Sequence, residues 1–130
     1  MERKLISNGN PLEDVIGFSR AVKVGPYITV GGTAPVDKNG KTVGVGNPST
    51  QTRQCIEIIK EALEQAGSGL EDVVRTRMIL TRIEDWKEVI KVRAEYFKDI
   101  KPVDTIMQVS SFVNPEWLIE IEVDAIMSEE

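Results

Sequence analysis

KPVDTIMQVSSFVNPEWLIEIEVDAI, residues Lys101 to Ile126, reads as two strands flanking a turn at Asn114-Pro115. Successive side chains of a strand point to opposite faces. In the second strand Leu118, Glu120, Glu122 and Asp124 therefore share one face, and Trp117, Ile119, Ile121, Val123 and Ala125 the other. A carboxylate ladder backed by an apolar one describes a surface strand, with its isoleucines in the core and its acids in water. Glu120 and Glu122 sit in the most β-branched segment of the chain, so the other reading is an acidic face partly covered by a partner subunit.

Upstream, strands alternate with two helical patterns. FSRAVKV places Phe18, Arg20, Val22 and Val24 on one face and Ser19, Ala21 and Lys23 on the other; Gly25-Pro26 turns the chain, and YITVGG returns as the second arm of a hairpin. Gly31, Gly32 and Thr33 end that arm, where paired glycines fit either a bulge or a close approach by a ligand or neighbouring subunit. A loop with a turn at Asn39-Gly40 follows. Asn47-Pro48 then starts a helix whose apolar stripe of Cys55, Ile56, Ile59, Ala62, Leu63 and Ala66 ends at Gly67. Cys55 lies on that stripe and reads as a small buried hydrophobe rather than a nucleophile, since nothing local would activate it.

DVVRTRMILT is the next strand, with Val74, Thr76, Met78 and Leu80 on the core face and Arg75 and Arg77 toward water or a subunit boundary. Thr81-Arg82-Ile83-Glu84 matches a capping box, worth about 1 kcal/mol, before a helix lined by Trp86, Val89, Ile90, Arg93 and Phe97. Met1 to Asp14 is mostly polar and is assigned no element. The resulting order is strand, strand, helix, strand, helix, strand, strand. It implies an α+β fold, a mixed β-sheet with two helices packed on one face. Val30, Ile106, Val109 and Leu118 exceed what two helices can cover, which favours a closed assembly of subunits over a curled sheet.

The 130 residues suit one domain, 1–130, able to bury about two thirds of the surface of the unfolded chain. With 41% hydrophobic and 28% charged residues the chain is not disordered, and its formal charge of -5 gives no reason to expect nucleic acid. No long apolar run or signal-peptide pattern occurs and the one cysteine cannot form an internal disulfide, so the expectation is a cytoplasmic protein without a membrane partner. The absence of histidine removes the imidazole ligands of most zinc sites and every Ser-His-Asp and Cys-His mechanism. No metal is expected. Proton transfer would fall to carboxylates, tyrosine, lysine, threonine or water.

The pieces VGPYITVGGTAP, QTRQCIEIIKEALEQAGSGLEDVVRTRMILT, the proline of KPVDT and LIEIEVDAI, in this order and spacing, resemble the RidA/YjgF family, also labelled endoribonuclease L-PSP, from about Gly17 to Ile126. The resemblance implies a chorismate-mutase-like fold, a homotrimer and three ligand clefts between adjacent subunits. It also implies cofactor-free hydrolysis of enamines or imines, such as 2-aminoacrylate, to a 2-oxo acid and ammonia.

Residue by residue, the resemblance places Glu120 at the glutamate associated with water activation, and retains Gly32 and the backbone around Thr105 and Ile106. The family's substrate-gripping arginine, two positions after the proline, is Asp104 here; its first-strand tyrosine is Phe18, its second-strand serine is Gly31, and its second-helix asparagine falls near Glu84. Exchanging a cation for an anion turns attraction for a substrate carboxylate into repulsion. Arg20 shares a strand face with Phe18 and either grips an anionic substrate or pairs with Asp104, in one electrostatic unit with Glu120. Thr33 and Thr105 offer hydroxyls at the same level. Three functions follow as expectations: an imine or enamine deaminase with Glu120 as base and backbone N–H groups near Thr105 polarising the reacting group, a trimeric small-molecule binding protein without chemistry, and an endoribonuclease.

Overall fold

The computed structural model describes residues 1–128. Six strands, β1 (Arg3–Ile6), β2 (Ala21–Val24), β3 (Tyr27–Thr33), β4 (Val73–Leu80), β5 (Val103–Gln108) and β6 (Ile119–Ile126), form one mixed sheet in the order β1-β2-β3-β6-β4-β5. Two helices, α1 (Pro48–Gln65) and α2 (Trp86–Phe97), lie together on one of its faces. This is the α+β arrangement expected. The two strands of the C-terminal stretch are not neighbours: β6 fills the centre of the sheet between β3 and β4, while β5 runs parallel to β4 on its outer side. A parallel pair needs a crossover, and α2 supplies it.

Alternation on β6 is as the sequence predicts. Ile119, Ile121, Val123 and Ala125 are buried under the helices and the three acids face the open side. The stripe of α1 meets them, with Cys55, Ile56, Ile59, Ala62 and Leu63 all in the core. Truncating Ile59 to alanine there costs about 3 kcal/mol. Asn47 Oδ1 caps α1 by accepting from Thr50 N–H at 3.0 Å. Lys4 and Lys23 donate to the carbonyls of Gln65 and Ala66 at its other end, where the helix dipole favours cations.

Four departures from the expected elements follow from how the strands pair and what they meet. β1 exists although its stretch is polar, because Leu5 and Ile6 bring it into register with Val22 and Ala21 of β2. FSRAVKV becomes a regular strand only at Ala21; Glu13 to Gly17 forms one turn of π-helix, and Phe18 leaves it in an extended conformation. A register shift on β4 between Val73 and Arg75 turns Val73 into the core and leaves Val74 42% exposed, so the predicted core face holds only from Thr76 onward. The capping box is not formed: Gln108 Oε1 accepts from Ile83 N–H at 2.9 Å, a short 3-10 turn (Ile83–Asp85) precedes α2, and Val92 joins Val89 and Phe97 in its buried face while Trp86 lies outside. Val30 also faces the helices and is buried, and Ile106 packs against the core. The apolar surplus of the open face lies instead on the edge strands, at Leu5, Val103 and Met107.

Candidate active site

β3 pairs with β6 at Val30–Val123 and next at Thr33–Ile121, so Gly31 and Gly32 form a bulge. The bulge reading of the paired glycines holds, and the groups that approach them belong to the same chain. Arg20 Nη2 donates to Gly32 O at 2.6 Å, and a Cβ on Gly31 would lie 3.4 Å from that nitrogen. A Cβ on Gly32 would lie 2.6 Å from Glu120 Oε1. Arg20, just before β2, and Glu120 of β6 thus approach one bulge of β3 from its two sides.

Both groups titrate abnormally. Burial raises the Glu120 carboxyl above its ordinary value; Arg20 opposes that rise and Glu122, two residues along the same face, adds to it. Arg20 is buried, which lowers its guanidinium below its ordinary value, and the negative fields of Glu120 and Glu13 oppose the change. Arg20 Nε has no hydrogen-bond partner. Cys55 lies beneath the pair, fully buried, with its thiol pushed well up by burial and then by Glu120. It is inert as a nucleophile.

Asp104 belongs to a different cluster. It sits opposite Thr76, on the helix side of the sheet, accepts from Thr76 Oγ1 at 2.7 Å, and lies 3.7 Å from Arg93 Nε. Arg93 also donates to Thr76 Oγ1 and to Pro102 O at 3.2 Å. Four inter-strand spacings separate β2 from β5, about 19 Å, so within one chain Arg20 cannot pair with Asp104. Within one chain, the members of the predicted unit of Arg20, Asp104 and Glu120 that come together are Arg20 and Glu120, and the like charge beside Glu120 is Glu122. Arg93 serves Asp104 instead.

The remaining predicted residues divide. Phe18 and Gly31 line an open hollow of about 580 Å³ with Arg3, Leu5, Glu13 and Val22. Thr33 is buried and spends its hydroxyl on Gly31 O at 2.7 Å, so that hydroxyl is not offered outward. Glu84 is exposed in the 3-10 turn before α2. Thr105 is exposed on the open side opposite Arg77, while Ile106 faces the helices opposite Met78. Val109 N–H donates inward to Leu80 O at 2.8 Å, so alternation turns Thr105 N–H toward β4 and leaves the N–H groups of Asp104 and Ile106 pointing away from the sheet. The free donors near Thr105 are therefore those of its neighbours.

Sequence reasoning missed Glu13, whose field reaches Arg20, and Gln51, which is fully buried. Gln51 Nε2 donates to Gly44 O and Glu116 O, and its Oε1 accepts from Leu118 N–H, fixing the approach of the chain to Glu120. A polar residue on the buried side of α1 was the one available signal. Among the described residues no group of three or more His, Cys, Asp or Glu is placed to hold a metal, and no helix is long and apolar enough to cross a membrane.

Comparison with known proteins places this geometry. The chain is 40% identical in sequence to a Mycobacterium tuberculosis member of the YjgF/YER057c/UK114 family and superposes on its crystal structure with a TM-score of 0.89, covering 97% of this chain and 100% of that one. It is 34% identical over 122 residues to a RutC family protein of Pyrococcus abyssi, covering 94% of this chain and 95% of the relative. It is 38% identical over 101 residues to the 3-aminoacrylate deaminase RutC of Acinetobacter baylyi, covering 78% of this chain and 79% of the relative. The family model described as Endoribonuclease L-PSP matches residues 9–127, and the chain belongs to that family.

Proposed function

We propose that the protein is a deaminase that hydrolyses a small enamine or imine to a carbonyl compound and ammonia, with Glu120 as its acid–base residue. The observation that carries this reading is the half-buried Glu120 carboxylate, raised by burial and held against the Gly32 bulge, in a chain 38% identical to a 3-aminoacrylate deaminase. A raised carboxylate is a stronger base near neutral pH than an ordinary one. It can take a proton from water as the oxygen adds to the C=N carbon, and return it to the departing nitrogen. Net, one water is consumed and one ammonia released. The outward N–H groups of Asp104 and Ile106 on edge strand β5 are donors that could polarise the reacting group.

In one chain β5 is two strands from β6, so a cleft using both sites would lie between subunits, which fits a homotrimer with ligand clefts at its boundaries. The reading places the protein in the cytoplasm, where its buried free Cys55 stays reduced, acting on a small molecule without a cofactor. A second reading, a trimeric binding protein without chemistry, is favoured by Asp104, an anion where a substrate carboxylate would need a cation, with the neighbouring Arg93 engaged by Asp104, Thr76 and Pro102.

Imines and enamines generated in situ from amino acids, with ammonia release followed in the presence of wild type and Glu120→Gln, distinguish the two. Deamination should be accelerated by the wild type and fall by at least about a hundredfold in the variant. Binding without acceleration would support the second reading.

A further inference from the structure

We propose that Arg20 is a positioning residue for this reaction, bonding the Gly31-Gly32 bulge of β3 to the start of β2 and placing a buried positive charge on the bulge that Glu120 approaches from β6; the proposal rests on the deaminase reading of Glu120.

The geometry fixes Arg20 at three points. Its backbone N–H donates to Ile6 O at 2.8 Å, its carbonyl accepts from Gly31 N–H at 3.2 Å, and its Nη2 donates to Gly32 O at 2.6 Å. A residue stapled to both β1 and β3 cannot follow a substrate, and Arg20, buried at 8% exposure, is not a mobile anion clamp. Donating to the neutral Gly32 carbonyl leaves its charge intact, and Nε has no hydrogen-bond partner. The field is left for carboxylates, and those acting on Arg20 are Glu120 and, from the π-helical turn, Glu13. Glu120 reaches the same bulge from the other side, its Oε1 occupying the space that a Cβ on Gly32 would take.

Other charged groups around Glu120 do not substitute for Arg20. Glu122 on the same strand repels it, and Cys55 beneath on α1 is neutral. On β4 the residue paired with Glu120 is Ile79, and the nearby Arg77 is engaged by Glu122 at 3.7 Å and Asp124 at 3.5 Å. Arg20 is thus the cation that offsets the burial of Glu120. Without it the carboxyl would retain its proton to higher pH and the base form would be lost first on the acid side.

The test uses the full-length protein and Arg20→Gln, with Arg20→Lys as the conservative variant. Ammonia release from an amino-acid-derived imine is measured across pH, and the Glu120 carboxyl is titrated independently by carbon NMR of glutamate-labelled protein, with Glu120→Gln assigning the resonance. Expected for Arg20→Gln is a displacement of the acid limb of the rate profile and of the NMR midpoint to higher pH, with a loss of about tenfold on that limb that recovers as pH rises. Arg20→Lys should restore much of the midpoint. An unmoved NMR midpoint in folded Arg20→Gln, or an unmoved midpoint accompanied by a rise in KM alone, overturns the proposal. If the wild type releases no ammonia, the deaminase reading fails and the positioning role of Arg20 in that reaction falls with it; the NMR midpoint still tests the charge arrangement. Should Arg20→Gln not fold, an Arg20→Lys midpoint displaced below that of the wild type overturns the proposal, and one at or above it supports it.

Discussion

Gly32 and the tip of Glu120 occupy adjoining space, and this allows activity to be separated from stability at a single residue. A methyl at Gly32 would lie 2.6 Å from Glu120 Oε1, the far end of a flexible side chain, so Gly32→Ala should move the carboxylate rather than the backbone. The expected result is a fall in kcat/KM of about tenfold or more with a stability change within about 1 kcal/mol, read by ammonia release and urea unfolding. Loss of both together would mean that the glycine serves the bulge and not the acid. The raised Glu120 carboxyl also couples to folding. The native state binds this proton more tightly than the unfolded chain, so the stabilisation is complete below the ordinary carboxylate range and is lost as pH rises through the raised value. Glu120→Gln removes that loss and should gain stability relative to wild type between pH 4 and pH 7. Urea melts giving the same difference at both pH values would contradict the sign. The position of Glu120 on the open face was legible from alternation alone. Its association with Arg20 was also expected; what the sequence could not show is that β2 and β5 lie four strands apart, which separates Asp104 from both within one chain.

At the scale of elements, what could be read was whatever has a local period. The two-residue alternation of β6 and the stripe of α1 both appear as predicted, because each side chain's environment follows from its own strand or helix. What failed depends on partners far along the chain. The shift at Val73 reverses the first residues of β4, and Gln108, 25 residues away, takes the capping role assigned to Thr81 and Glu84. Gln51 is the strongest case, since its amide joins α1 to Gly44 and to the Glu116–Leu118 segment that enters β6. Replacing it with alanine would leave Glu116 O and Leu118 N–H without this partner, whereas Gly44 O still accepts from Asn47 N–H. At roughly 1 kcal/mol for each of the two groups, Gln51→Ala should cost about 2 kcal/mol in urea unfolding. Because the segment leads directly to Glu120, activity should fall even where the protein remains folded. A loss below about 1 kcal/mol would mean that water replaces the amide without penalty.

For the whole molecule, the open face of the sheet is the feature that bears on the proposed assembly. Its centre is polar: Asp124 accepts from Thr29 Oγ1 at 2.8 Å and Tyr27 OH at 3.2 Å, and lies 3.5 Å from Arg77. Its edges are apolar, with Leu5 60% exposed on β1 and Val103 58% and Met107 38% exposed on β5. Edge strands that present apolar side chains and unpaired backbone groups are aggregation hazards unless they are covered. A closed ring of subunits covers them in a way an open chain of contacts does not. We therefore expect a homotrimer, with a mass three times the 14.5 kDa of one chain in light scattering at micromolar concentration. Met107→Glu should weaken or abolish it, because a charge placed in a dry subunit boundary costs several kcal/mol unless it finds a partner. The activity of that variant should fall with dissociation and return at high protein concentration if β5 of one subunit completes the site around Glu120 of another. A monomeric wild type would sink the assembly and the shared site together. A trimer whose Met107→Glu variant keeps full mass and full activity would leave the assembly standing and remove β5 from its interface.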